Sequence, residues 1–354
     1  MGRALLLAGV RPRVARRPRG GRAGVSAREG GALGPKHALL VGAKALVSLG
    51  LLLFLFRRIP LDQFATAVRG VRYEWLTAAW GLLFASNLLG AWQWSRLLHV
   101  VETRIPFWKV CAYYHVGLFF NNFLPAGIGG DIARVADASR HGPTKTAAFS
   151  AVLMDRILGT VAIASLALVT TLPAIDRFHL TLVYLAVVAF FAISVTLLWA
   201  VFHPASLPAC ERALKRVGLG RLGPHLDDLA MRIAGFRERR GLVAGLLAVA
   251  ALTQVSRIGV HALVARALGL HIPLIYFFLF VPLLAVIVSL PISFNGIGVR
   301  EGAGIVLFGL VGVDRAHAFS LQFLTYLVMV AVSLIGGLVF LVRIPTRRAR
   351  ARQS

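Results

Sequence analysis

Acidic residues and cysteines are scarce in this sequence, and extended polar stretches are scarcer. Its 14 Asp and Glu face 39 Lys and Arg, giving a formal net charge of +25, and only 15% of its residues are charged, against about 25% in a soluble globular chain. Cys111 and Cys210 are the only cysteines, which provides no disulfide framework. Chemistry-bearing motifs are missing as well. There is no Gly-x4-Gly-Lys-Ser/Thr loop for a nucleotide, no His-Glu-x-x-His or Cys-x-x-Cys pair for a metal, and no Gly-x-Ser-x-Gly nucleophile turn. The glycines of 127–130 and 302–309 follow no strand signal, so neither supports a dinucleotide fold. These absences predict no enzyme activity and no cofactor.

What is abundant is apolar: 58% of residues are hydrophobic, and they come in long blocks. His37–Phe56 contains only Lys44 as a charge, and about 20 such residues cross a hydrocarbon core of about 30 Å. At mid-bilayer the backbone must pair internally, which leaves helices or a closed barrel. A barrel would alternate polarity over short segments, whereas these runs are continuous. The fold expected is therefore all-α and polytopic, a bundle of about seven to nine membrane segments. Spans are expected at His37–Phe56, Trp75–Leu98, Thr146–Leu172, Leu180–Phe202, Leu242–Leu268, Pro273–Leu290 and His317–Val342. Trp75, Trp92 and Trp94 are read as an interfacial belt, and Leu61–Arg72 as an amphipathic surface piece. Phe107–Leu124 is ambiguous, as is the short Gly302–Val313. Together they read as a re-entrant segment and a short crossing, or something similar, and re-entry is open to both Pro/Gly-broken segments of the bundle.

Positive charge gathers in three places: residues 1–36, the loop 203–240 and residues 344–354. Basic flanks mark the cytoplasmic side and attract anionic headgroups. We therefore expect two cytoplasmic tails around one transmembrane domain, 37–343, in a bacterial plasma membrane. The tail 1–36 is expected to be disordered. With no folded module beside it, nucleic acid is not an expected partner. Asp227 and Asp228, an adjacent acidic pair in the basic loop, read as ordinary solvated residues.

Two segments break the hydrophobic monotony, and they resemble one another. One runs Asn121-Asn122-Phe-Leu-Pro125-Ala-Gly127-Ile-Gly129-Gly130-Asp131-Ile-Ala-Arg134; the other runs Pro291-Ile-Ser-Phe-Asn295-Gly296-Ile-Gly298-Val-Arg300-Glu301. Each carries an apolar run to a proline, then Gly-Ile-Gly, then an acid and an arginine. Proline and glycine interrupt the helical ladder. Such interruptions at corresponding places in two halves point to a transporter's binding site near mid-membrane. Arg134 and Arg300 are expected to receive an anionic headgroup through planar, bidentate bonds. Asp131 and Glu301 would hold those arginines or carry a proton, and Asn121, Asn122 and Asn295 would bond headgroup oxygens. Asp155 and Arg156 pair either locally or with the first segment. Gln254, Arg257 and His261 share one helical face, where a salt bridge, snorkelling and substrate contact all remain open. Asn87, Gln93, Gln322 and Tyr326 read as interhelical hydrogen-bonding residues.

These two segments, together with Asp155-Arg156-Ile157-Leu158-Gly159, resemble the lysylphosphatidylglycerol synthase transmembrane-region family over roughly Lys36–Arg343. That family includes the flippase-like domain of the multiple peptide resistance factor. The resemblance implies a module that moves lipids or lipid-linked molecules between leaflets, with membrane lipids of anionic headgroup as partners. The aminoacyl-transferring domain of the full-length synthase is a separate soluble region for which this chain has no room. Two alternatives stay open: a membrane transferase using a lipid-linked donor, and a non-transporting protein that presents lipid to a membrane-protein partner.

Overall fold

The computed structural model describes residues 69–123, 129–174, 178, 181–203, 223–289 and 296–351. The tail 1–36, the expected span His37–Phe56, most of Leu61–Arg72 and the site candidates Pro125, Gly127 and Asn295 lie outside them. The described residues form ten α-helices and a short 3-10 turn, Leu172–Ala174, with no strand among them. The helices are α1 Tyr73–Val100, α2 Phe107–Phe123, α3 Gly129–Ala138, α4 Lys145–Thr171, α5 Thr181–Phe202, α6 Gly223–Glu238, α7 Arg240–Ala267, α8 Leu274–Ser289, α9 Val299–Gly309 and α10 Arg315–Ala351. The chain is a polytopic helical membrane protein. Four helices, α4, α5, α7 and α10 (to Arg343), are long and apolar enough to cross a bilayer. At 28 residues α1 is as long as α7, and it buries Ser86, Asn87, Gln93 and Ser95 against its neighbours.

Local chemistry fixes how the long helices are aligned. Thr144 starts α4 by accepting the Ala147 N–H at 3.0 Å, as an N-cap should. Gln254 of α7 donates to the Gly159 carbonyl of α4 at 3.3 Å, midway along both helices, and the N-terminal halves of the two share one core (Ala147, Ala151 and Met154 with Val243, Leu246 and Ala250), so α4 and α7 run parallel. α1 runs against them, since the Arg72 N–H donates to the Ala267 carbonyl at the end of α7. The amphipathic α6 lies across one end of the bundle. There Arg237 bonds the Val201 and His203 carbonyls at the end of α5, and Asp228 accepts from Thr144 at 2.9 Å. Arg343 near the end of α10 reaches Asp137 at 3.3 Å at this same end. The ends of α5 and α10 and the start of α7 therefore share one face of the bundle, termed here the α6 end.

The two interrupted segments are hairpins that enter from opposite ends. α2 starts at the α6 end and α3 returns there, with Gly142 beyond α3 lying close to Thr103 ahead of α2. α2 and α3 thus pack as an antiparallel pair, the arrangement that the expected re-entrant path of Phe107–Leu124 requires. α8 begins at the far end, just past α7, and α9 runs back beside it, with the Phe308 ring tilted against Phe277 at 5.5 Å and edge-on to Phe280 at 5.3 Å. Leu274–Ser289 and Val299–Gly309 thus pack as two antiparallel arms, and neither is among the four helices long enough to cross a bilayer. At 16 and 11 residues these arms reach about 24 and 16 Å, short of a bilayer. Continuous apolarity in Pro273–Leu290 does not tell the two apart, because an arm buried in protein is as apolar as one in lipid. The order α1–hairpin–α4 is repeated, inverted, as α7–hairpin–α10.

Burial divides along the same axis. One apolar core, with Leu97, Met154, Phe236 and Leu246, fills the α6 end; another, with Leu83, Ile258, Phe280 and Leu321, fills the far end. Between them, polar residues Ser86, Asn87, Gln93 and Gln254 are buried in a middle layer.

Candidate functional site

The first hairpin delivers its charges into that middle layer. Its arms touch because Gly130 meets the Gly117 carbonyl, where any Cβ would collide. Asn121 stabilises the crossing by accepting the Gly130 N–H at 2.9 Å. Its expected headgroup-bonding oxygen is therefore engaged at the hairpin tip. Three positions along α3 from Asp131, one turn, lies Arg134, buried and clamped with its guanidinium 4.3 Å from the Trp94 ring and 4.8 Å from the Tyr114 ring. It donates to Asp155 of α4 at 2.7 Å, the two side chains being 6% and 11% exposed. The other Asp155 oxygen accepts from Gln93 at 2.9 Å.

Asp131 points the other way along α4. Arg156 donates to it twice, from Nε at 2.8 Å and from Nη2 at 2.9 Å. Asp131 also comes within 3.8 Å of Arg134, so Asp131, Arg134, Asp155 and Arg156 form one alternating network between α3 and α4. Asp155 and Arg156 therefore pair with the first hairpin. The Arg156 side chain is 50% exposed, which makes it the accessible member. Asp155 lies 10 residues into α4, about 15 Å from the α6 end.

The second hairpin brings in its own pair. Gly296 and Gly298 turn the chain at φ +75° and +82°, a region where a side chain is strained. Glu301 accepts the Gly298 N–H at 2.6 Å, satisfying a donor that the start of α9 would otherwise leave open. It is buried at 1%, and Arg300 beside it at 9%. The Arg300 guanidinium lies 5.0 Å over the Tyr326 ring of α10. Gln322, one turn before Tyr326, is fully buried against Gly304 of α9, and neither end of its amide has a hydrogen-bond partner.

Two aromatic residues were not legible as site residues. Trp94 is fully buried beneath Arg134 rather than in an interfacial belt, and Tyr114 closes the other side. The available signal was the adjacency of Gln93 and Trp94 in an otherwise apolar run. Asp228 is also no plain solvated residue. Besides Thr144 it meets Arg232 at 3.4 Å, and Arg232 reaches Glu102 after α1 at 3.1 Å, so it docks α6 on the bundle. Residues 41–340 match the family described as Lysylphosphatidylglycerol synthase TM region. The chain belongs to that family. Both hairpins and every charged residue of the network fall inside the matched range. Among curated proteins none matches the chain.

Proposed function

We propose that this lysylphosphatidylglycerol synthase transmembrane-region protein translocates a lipid or lipid-linked anion between leaflets, in a bacterial plasma membrane with the α6 end cytoplasmic. The observation that carries this reading is the pair of hairpins entering from opposite ends, each bringing an arginine and a carboxylate to the middle layer. Irregular backbone at membrane depth is tolerated where it is buried or lines a cavity. Inverted repeats meeting at such a site are a transporter's architecture. The half-exposed Arg156, held flat by Asp131, supplies a guanidinium edge to a passing headgroup, while Arg134 and Asp155 hold α3 against α4. No chemical step is required of the chain, and its partners are the lipids themselves.

The transferase alternative needs an acidic pair free to hold a metal. Its one sequence candidate is weakened, because Asp228 is committed to Thr144 and Arg232. The test is reconstitution into vesicles with fluorescent phosphatidylglycerol, phosphatidylethanolamine and phosphatidylcholine. Leaflet exchange of at least one lipid should exceed that of protein-free vesicles. Exchange equal to protein-free vesicles for every lipid refutes the reading.

A further inference from the structure

A groove runs along the bundle between α5 and α7. Both helices pack on α4, and the gap left between them is a cavity of about 470 Å³, within the roughly 300–1,000 Å³ of small-molecule sites. α7 lines it with Arg240, Val243, Ala244 and Leu247. Their spacing of i, i+3, i+4 and i+7 makes them one stripe of the helix. The opposite wall carries Trp199 and His203 of α5, and the floor is Leu158 of α4, which is fully buried. None of the residues lining the groove belongs to either hairpin.

The groove is polar at one end and apolar along its length. Arg240 is the first residue of α7, and the apolar run of that helix begins just after it, so the rim at the α6 end is cationic. Leu247 lies two turns further along, about 10 Å deeper. The groove is open to lipid. α5 buries only Val187, Ser194 and Val201 of its 22 residues, Trp199 is 58% exposed, and Ala244 is exposed. The Trp199 ring lies 4.5 Å from that of His203, the placement of an aromatic residue at a membrane interface.

The charges around the rim favour an anion. The Arg240 side chain is exposed and makes no ion pair or hydrogen bond among the described residues. The first turn of α7 has no acidic residue and no side-chain cap, so Arg239 and Arg240 stand at the positive end of a helix with no counter-charge from that turn. Across the groove, the carbonyls ending α5 would repel a phosphate. Arg237 covers two of them, those of Val201 and His203, at 2.9 Å each.

We propose that the α5–α7 groove holds one anionic phospholipid of the leaflet at the α6 end. Its phosphate sits on Arg240, and one acyl chain lies along Val243, Ala244 and Leu247 toward Leu158. The guanidinium offers two N–H groups to the phosphate at once, while its aliphatic stem covers the start of the apolar stripe. This lipid is a resident of the fold rather than a passenger on the route proposed above. It fills the gap between α5 and α7, and binding only the folded chain stabilises it.

The experiment uses the full chain, delipidated in uncharged detergent, as wild type, Arg240→Gln, Arg240→Lys and Ala244→Trp, each checked for monodispersity. Native mass spectrometry counts bound lipid, and thermal shift reads stabilisation, on titration with dioleoyl-phosphatidylglycerol or dioleoyl-phosphatidylcholine. Wild type should retain one phosphatidylglycerol where phosphatidylcholine has already left, and should melt higher with it. Arg240→Gln should weaken phosphatidylglycerol by about fivefold to tenfold, with Arg240→Lys in between. Ala244→Trp fills the groove without touching the charge and should weaken both lipids. Equal phosphatidylglycerol binding by Arg240→Gln and wild type overturns the headgroup assignment. Wild-type binding of both lipids by Ala244→Trp overturns the groove, leaving only attraction to a charged surface, and no preference for phosphatidylglycerol in wild type overturns the anionic lipid. None of these readouts requires leaflet exchange, so vesicles showing no exchange would sink the translocation reading and leave this site standing.

Discussion

Arg134 and Asp155 meet at 2.7 Å across the boundary between the first re-entrant hairpin and the spanning helix α4. Trp94 and Tyr114 close both faces of the guanidinium. In a layer this dry, attraction within the pair offsets desolvation only while both partners are present. The pair thus acts as the clasp that keeps a 10-residue helix at membrane depth.

Breaking the clasp from one side should be felt mainly as lost stability. Asp155→Asn leaves a buried arginine without its counter-charge, at a cost of about 3–5 kcal/mol. Thermal unfolding of purified protein in detergent should shift down by many degrees, and yield should fall. An unchanged melting temperature would show that Asp155 is dispensable for holding α3.

Gly130→Ala should be similarly damaging for a steric reason. Its Cβ would meet the Gly117 carbonyl and the Asn121 side chain, so the arms must separate. Gly159→Ala, where a Cβ meets open space, is the matched control and should melt like wild type. Comparing the two in one detergent checks the close packing of the hairpin arms.

Much of this was legible from the residues. The four apolar spans and the two places where the helices break, after Phe123 and after Ser289, all came from runs of apolar residues broken by Pro and Gly. The second interruption was legible too, but not the role of Leu274–Ser289 as one of its packed arms, because that helix is uniformly apolar whether it faces lipid or protein. Partner choice was also hidden. Asp131 sits three residues from Arg134 on its own helix, but Arg156 takes both of its oxygens and Arg134 bonds a carboxylate from another helix. Spacing within one segment carries no information about which side chain a neighbouring helix presents.

The docking of α6 should depend on pH. Partial burial pushes the Asp228 carboxyl up, but hydrogen bonds from Thr144 and Thr146 and the charge of Arg232 outweigh it, holding the group below its ordinary 3.8. A folded-state value below the unfolded one stabilises above 3.8, and that contribution is lost as pH falls through the lower folded value. Deuterium uptake over residues 228–238, corrected for intrinsic rate, should rise on acidification below that window. In Asp228→Asn the rise should disappear, with protection already reduced at pH 7; an unchanged pH response would assign it to another group.

Orientation is open to a direct check. If the α6 end is cytoplasmic, a cysteine at Arg216 in a Cys111- and Cys210-free variant should resist an impermeant thiol reagent in intact cells and react after permeabilisation. Rapid labelling of intact cells would invert the assignment.

Leaflet exchange through the charged middle layer is the claim on which the rest depends, and Arg156 is the residue on which to measure it. Its side chain is half exposed, and Asp131 keeps Arg134 within 3.8 Å, so Arg156→Gln should leave a folded, monodisperse protein. The measurement is the exchange rate of fluorescent phosphatidylglycerol in proteoliposomes, per folded molecule, for wild type and Arg156→Gln side by side. A fall of about tenfold or more in the variant, at matched melting temperature, is the predicted result. Equal rates for both proteins would contradict a route through the network that Asp131, Arg134, Asp155 and Arg156 form.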